Sequence, residues 1–446
     1  MKRKTVDSGN NRGIRMMKRK LFGNVIGRQE LMNIIIVLGY FCFLLIWSLN
    51  QPFGNGPEEK LRYAIPEYIN DNLRLPSLFD KELYDSYYGT SYAGQPFFPY
   101  IMCAFFMRIE SFLFGNSGNL LMAARMVSVL CGVGFAIFII KVANELFENN
   151  YVKYFFVFFV ICWRYTSYLF TYVNCDSMMM LGCAITVCYV SKGVKSRWPL
   201  KTCIGTSLGI SLILLSYING IGYVLFALIA FISSYFVYYK KNIEMFKKGV
   251  LVTSLIFLMS GWFYIRNLIL YGSLFGGNIA NQVVKASSSA NTSLITLIHK
   301  NGNAFTLILQ WIKGQIYSFC GVFYKDDPWI IKICAAAILL LCLGLLTMCI
   351  LSKSSFLANG KVERVISCSL NTALVVTILL DLYYSTFVCY IPYYARYLVP
   401  GIIVVGYYIS IYAENKIENN KSIVIALTLL LGLVSVQDIV SAIIGI

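Results

Sequence analysis

Apolar runs of membrane-spanning length recur along nearly the whole chain, near 31–49, 96–114, 119–146, 151–172, 176–190, 203–219, 221–239, 249–269, 329–351, 365–389, 396–413 and 422–445. About twenty apolar residues in a helix cross the hydrocarbon core of a bilayer. The pattern therefore predicts an all-α fold, a polytopic transmembrane helix bundle. Composition agrees: 58% of the 446 residues are hydrophobic and only 13% are charged, more apolar surface than a water-soluble domain could cover. The reading is a basic segment over 1–30 and one transmembrane domain over 31–446, with no soluble catalytic domain attached. The basic start is too long, and the first apolar run too extended, for a cleaved signal peptide, so Leu31–Leu49 reads as a retained anchor.

A formal charge of +17 could suggest nucleic acid, but the cations cluster between spans. Lys2, Arg3, Lys4, Arg12, Arg15, Lys18, Arg19, Lys20 and Arg28 precede the first span, and further groups lie at 192–201, 240–248 and 353–364. These are positive-inside anchors that suit lipid headgroups, not nucleic acid. They predict a multi-pass plasma-membrane protein with a cytoplasmic N-terminus. The outer loop over about 50–95 then carries the acids Glu58, Glu59, Glu67, Asp71, Asp80, Glu82 and Asp85. Within it, Glu67–Leu73 reads as a short helix between Pro66 and Pro76, followed by the interfacial Tyr84, Tyr87, Tyr88 and Tyr92. The basic loop at 192–201 puts Asp176 outside as well. An even number of crossings must then separate the outer loop from Asp176, yet three apolar segments lie between. The segment 151–172, interrupted by Trp163-Arg164, is read as the re-entrant or short one, leaving about eleven crossings with the C-terminus outside. A second outer loop, 271–328, holds the flexible-looking 286–291 run and a surface helix near Thr306–Tyr317. The 14 cysteines mostly sit within apolar runs without metal spacing, and His299 is the only histidine.

Candidate chemistry begins with Gly56-Pro57-Glu58-Glu59-Lys60-Leu61-Arg62. Two exposed acids in a polar loop are usually just solvated, but this pair emerges within ten residues of a span and has Arg62 at helical spacing. A carboxylate there can deprotonate or orient a hydroxyl, or hold a cation; Glu59 is the preferred base, with Glu58 supporting it. Asp176 at a span end reads as a second functional acid, and it also suits, with Asn174, the N-cap of a helix, a role compatible with the first. Arg266 and Arg396 sit at outer span ends, against the inside bias, where guanidinium forks suit phosphate oxygens and the bland alternative is snorkelling. Arg125 and Arg164 lie deeper, to pair with acids or carbonyls. Glu110, Asp381 and Asp438 receive no role.

Taken in order, these segments resemble the C-type glycosyltransferases, integral-membrane enzymes that use polyprenyl-phosphate sugars. Gly56-Pro57-Glu58-Glu59 is similar to their acidic pair, and Gln95-Pro96-Phe97-Phe98-Pro99-Tyr100 to a proline-aromatic motif. Asn174-Cys175-Asp176 resembles the second acidic position, and Trp262-Phe263-Tyr264-Ile265-Arg266-Asn267 with Tyr271-Gly272 a later signature. Arg396-Tyr397-Leu398-Val399-Pro400 resembles the last motif. The nearest branch is the bacterial one related to the protein O-mannosyltransferase and lipid A aminoarabinose transferase groups. Two departures stand out: the first acid is Glu58 where aspartate is common, and Arg62 falls where a histidine is common.

The resemblance implies sugar transfer from a polyprenyl-phosphate-linked donor to a cell-envelope acceptor (glycan, lipid or protein) on the outer face, with inversion. It assigns Glu59, Glu58 and Asp176 to catalysis and Arg62, Arg266 and Arg396 to the donor phosphate. It leaves metal use open, a divalent cation being compatible with it. The competing readings are a transporter or flippase for lipid-linked saccharides, and a polysaccharide polymerase or ligase.

Overall fold

The hydropathy pattern is realised as helices. The computed structural model describes residues 27–84, 91–240, 242–275, 293–323, 326–351, 360–388, 390, 395–416 and 421–445, and no strand occurs among them. In chain order the helices are α1 (Arg28–Asn50), α2 (Glu59–Asn72), α3 (Phe98–Phe114), α4 (Leu120–Leu146), α5 (Asn150–Ile161), α6 (Arg164–Leu169), α7 (Asp176–Ser196) and α8 (Leu200–Leu214). They continue with α9 (Ile221–Ser234), α10 (Asn242–Tyr271), α11 (Leu294–Asn301), α12 (Ala304–Phe319), α13 (Trp329–Leu351), α14 (Lys361–Tyr383), α15 (Ile402–Lys416) and α16 (Lys421–Ile444).

Among the described residues, eight helical segments are long and apolar enough to cross a membrane, those built on α1, α4, α7, α9, α10, α14, α15 and α16. Three shorter apolar helices join them: α5, α8 and the Trp329–Leu345 part of α13. Side-chain contacts sort the helix ends into two groups. At one end Lys192 pairs with Glu145 (3.5 Å), Lys248 donates to the Arg197 carbonyl (2.5 Å), and Glu414 accepts from the Asn149 N–H (2.9 Å). At the other, Arg125 donates to the Ser48 and Gln51 carbonyls (both 2.8 Å), and Tyr271 accepts from the Leu78 N–H (2.9 Å). By length and composition the eight long and three short segments make eleven candidate crossings among the described residues, and these contacts set their ends at one or the other side of the bundle.

The short element that parity requires lies at 96–114, not at 151–172. Helix α3 begins beside α2, where the Tyr100 hydroxyl accepts from Arg62 (3.4 Å), and turns through Gly115–Ser117 into α4, whose first turns lie at the same end. It thus starts and finishes on one side. Helices α5 and α6 carry the chain across instead, from Asn149 at the basic end to Val173, whose N–H donates to Glu59 (3.2 Å). Their break is tolerated because side chains answer the polar groups around it. The Ser167 hydroxyl donates to the Ile161 carbonyl (2.8 Å), and the Trp163 indole donates to the Phe319 carbonyl (2.6 Å).

Helix α2 starts at Glu59 rather than Glu67 and runs through Pro66, which has no N–H to meet the Arg62 carbonyl. Helix α12 covers the surface helix read at 306–317, with Phe305, Leu309 and Ile312 exposed. The cations before residue 27, Asp85, Tyr87, Tyr88 and the 286–291 run lie outside the described residues. Helix α7 is fixed by contact with α8: a Cβ on Gly182 would come within 2.8 Å of the Gly209 carbonyl oxygen, so only glycine lets the two backbones meet. That contact anchors the helix whose first residue is Asp176.

Candidate active site

The end of α1 and the start of α2 are joined by a turn that needs its glycines. A Cβ on Gly56 would sit 2.4 Å from the Tyr172 ring. Next comes Glu58 in the left-handed region (φ 59°, ψ 20°), a conformation that costs a non-glycine residue about 1 kcal/mol. Its effect is to send two adjacent carboxylates into different surroundings.

Glu59 is fully buried. Its Oε1 and Oε2 accept from Arg125 Nε and Nη2 (2.8 and 2.9 Å), and further from the Val173 and Gly54 N–H groups (3.2 and 2.9 Å). This is a bidentate buried pair with both oxygens doubly engaged. It ties the start of α2 to α4 and to the strandless stretch before α7.

Glu58 faces the other way, with its side chain 35% exposed. Its Oε2 accepts from Arg62 Nη2 (3.0 Å), one turn along α2, from Arg396 Nη1 (3.3 Å) and, in a short bond, from the Tyr92 hydroxyl. Asp176 closes the group: its Oδ2 accepts a short bond from Arg396 Nη2 and lies 3.6 Å from Arg62 Nη1. Asn174 takes over the capping of α7, its Oδ1 accepting from the Ser177 N–H (2.8 Å), which frees Asp176 for the arginines. Asp176 Oδ1 is buried without a hydrogen-bond partner. Arg396 is held in the Ala395–Tyr397 turn, where the Ala395 N–H donates to Ser318 (3.0 Å) at the end of α12.

Two carboxylates and two guanidinium groups thus alternate, drawn from α2, the head of α7 and the turn before α15. Aromatic faces line them: Tyr92 lies 4.5 Å from the Arg62 guanidinium carbon and Tyr217 4.6 Å from that of Arg396. The Cys175 thiol accepts from Arg62 Nη1 (3.1 Å). Burial alone would raise the Glu58 carboxyl, but Arg62 and Arg396, with the Tyr92 hydroxyl, hold it down at about 2. Burial pushes the Tyr92 phenol well up, so it serves as a donor.

The sequence-derived residues therefore divide. Glu58, Arg62, Asp176 and Arg396 come together; Glu59 is next to Glu58 in the chain but is turned away from them, onto Arg125. Arg266 stands apart, donating to the Pro76 carbonyl (2.6 Å) and covering the Phe97 ring (5.2 Å). Arg125 pairs with an acid and with carbonyls, as read from its depth; sequence reasoning missed Tyr92 and Tyr217 as parts of the site. For Tyr217 a signal existed in Ser216-Tyr217-Ile218-Asn219-Gly220, a polar break between two apolar runs. Among the described residues no three His, Cys, Asp or Glu side chains converge on a metal position, and the facing oxygens of Glu58 and Asp176 are already met by guanidinium N–H groups. Among the described residues the donor set does not fit a divalent cation.

No protein-family model and no curated protein matches the chain. Solved structures to which it is similar include the archaeal oligosaccharyltransferase AglB from Archaeoglobus fulgidus, in complex with an inhibitory peptide and a dolichol-phosphate (10% identity, TM-score 0.42). That likeness covers 91% of this chain and 56% of the other, so the chain spans little more than half that protein's length. Another is ArnT from Cupriavidus metallidurans bound to undecaprenyl phosphate (11% identity, TM-score 0.41, 91% of this chain and 77% of that one).

Proposed function

We propose that this chain is a membrane glycosyltransferase that moves a sugar from a polyprenyl-phosphate donor to a hydroxyl or amine of a cell-envelope acceptor. In this reading the acid–arginine end faces outward, the basic end faces the cytoplasm, and the membrane is the plasma membrane. The observation that carries it is the ring of Glu58, Arg62, Asp176 and Arg396 at one end of an apolar bundle. Such a ring offers two forked cations to a phosphate and a partly exposed carboxylate to an acceptor, at the depth where a lipid-borne donor arrives. The ordered motifs around Glu58, Asp176, Arg266 and Arg396 support the same reading.

The reaction is a single displacement. The acceptor oxygen or nitrogen forms a bond to the anomeric carbon as the bond from that carbon to the phosphate oxygen breaks. The electron pair leaves with polyprenyl phosphate, and the configuration inverts. Arg62 and Arg396 take up the charge gathering on the leaving oxygen. The acceptor proton goes to Glu58, the exposed carboxylate of the ring. At about 2 its pKa makes it a weak base while both arginines lean on it. A donor phosphate that draws Arg62 and Arg396 to itself relieves that depression and restores basicity when the substrate is bound. We assign Glu59 to positioning, through Arg125, and Arg266 to holding the Pro76 segment.

Mass spectrometry of lipid-linked sugars and surface glycans, with and without the protein, tests this. Loss of the protein should raise one polyprenyl-phosphate sugar and remove that sugar from an envelope product. An unchanged set of both would refute the reading.

A further inference from the structure

We infer that Arg62 and Arg396 do between Glu58 and Asp176 what a divalent cation does where one joins two carboxylates, and that the site works without such an ion. The inference rests on the transferase reading above. Each guanidinium bridges both acids. Arg396 uses Nη1 on Glu58 (3.3 Å) and Nη2 on Asp176; Arg62 uses Nη2 on Glu58 (3.0 Å) and lies 3.6 Å from Asp176 through Nη1. The same two oxygens, Glu58 Oε2 and Asp176 Oδ2, receive both cations, and these are the facing atoms an ion would need.

The charges sum to zero before any ion enters. Arg62, Asp176 and Arg396 are buried, so a further double positive charge would sit beside two guanidinium groups with little water to screen it. Ligand supply points the same way. Magnesium collects about six oxygens at roughly 2.1 Å, whereas this ring presents guanidinium N–H donors, and beside them stand the Cys175 thiol, the Tyr217 ring and the Tyr92 and Tyr100 hydroxyls, too few oxygens for that set. Asp176 Oδ1 is open, but one oxygen is not a ligand set. Glu59 cannot turn in to help, because Arg125 and two backbone N–H groups hold both its oxygens. The consequence for catalysis is that leaving-group charge is met by two permanently charged forks. Arg62, which falls where the resembled family commonly has a histidine, is the residue that makes the second bridge.

The test is a manganese titration of the full chain in detergent, read by the electron paramagnetic resonance of free Mn2+, for the wild type, Asp176→Asn and Glu58→Gln. Glu58 is partly exposed, so its variant serves if the buried aspartate proves necessary for folding. The expected result is the same weak, nonspecific uptake in all three, together with a transfer rate that EDTA alters by less than about twofold. Uptake of about one Mn2+ per wild-type chain that either variant abolishes would overturn the inference. So would transfer that EDTA stops and Mn2+ restores. The titration needs no turnover, so a chain that binds no manganese and transfers no sugar would refute the transferase reading and leave the ion-free ring standing.

Discussion

Glu58 and Glu59 are neighbours in sequence and opposites in environment, because the left-handed backbone at Glu58 turns one carboxylate toward Arg62 and Arg396 and the other toward Arg125. Their substitutions should therefore fail in different ways. Glu59→Gln strips the charge from a buried pair and leaves Arg125 uncompensated, a change that costs about 3–5 kcal/mol. It should appear as lost thermal stability and poor yield. Glu58→Gln should still fold, with a smaller loss of thermal stability than Glu59→Gln, and lose at least about a hundredfold in transfer. Thermal unfolding and turnover measured on both variants check this pair; a stable, inactive Glu59→Gln beside an active Glu58→Gln would reverse the assignment. The pH dependence has a definite sign. A carboxylate lowered from 4.5 to about 2 stabilises the fold at any pH above its ordinary value, and that contribution fades as pH falls from 4.5 toward 2. The difference in unfolding temperature between wild type and Glu58→Gln should be constant above pH 5 and shrink below it; a difference that shrinks instead between pH 6 and 8 would contradict the ring as described. That the acidic pair lies at a helix end was legible from its place beside a span. Which member is exposed was not, since it depends on Arg125, an arginine from another helix, and on one backbone angle.

At the scale of elements, the apolar runs located the helices because crossing a bilayer demands length and hydropathy that little else mimics. They could not tell a crossing from an apolar helix that stays at one end. Helix α3 is rich in Phe and Ile and looks like a span, but it is 17 residues long and returns to α4 at the end where it began. Helices α5 and α6 look broken at Trp163-Arg164, yet the break is supplied from elsewhere: Arg164 lies 3.5 Å from Asp327 and covers the Phe323 ring at 4.4 Å. Those partners are more than 150 residues away, beyond the reach of local pattern. Cysteines introduced singly at Leu73, Ser117 and Lys195, on a background without native cysteines, distinguish the two arrangements. All three positions are exposed. A membrane-impermeant thiol reagent should label positions 73 and 117 from the same side and position 195 only from the other. Position 117 reacting with position 195 would make α3 a true crossing.

Across the whole molecule, function is a matter of separation. Lys192, Lys195, Arg197 and Lys248 gather at one end of the bundle, and the two carboxylates with their two arginines at the other. A bundle that sets an acid–arginine ring at one end, with apolar flanks open to lipid, suits a reagent that is part lipid and part phosphate. The composition made the bundle legible, and the motif order supplied the chemistry proposed for it. The ring itself is assembled from residues 58, 62, 176 and 396, and only the fold brings those together. The central claim is that this ring performs sugar transfer from a polyprenyl phosphate. The most direct measurement uses purified protein in liposomes carrying the polyprenyl-phosphate sugars of the source membrane, with release of free polyprenyl phosphate followed by mass spectrometry. Wild type should release it from one donor in the presence of envelope acceptor, Glu58→Gln at no more than about a hundredth of that rate, and Arg396→Lys only at raised donor concentration, because lysine lacks the fork. Release that is equal in all three proteins, or absent from the wild type with every donor, would contradict the account.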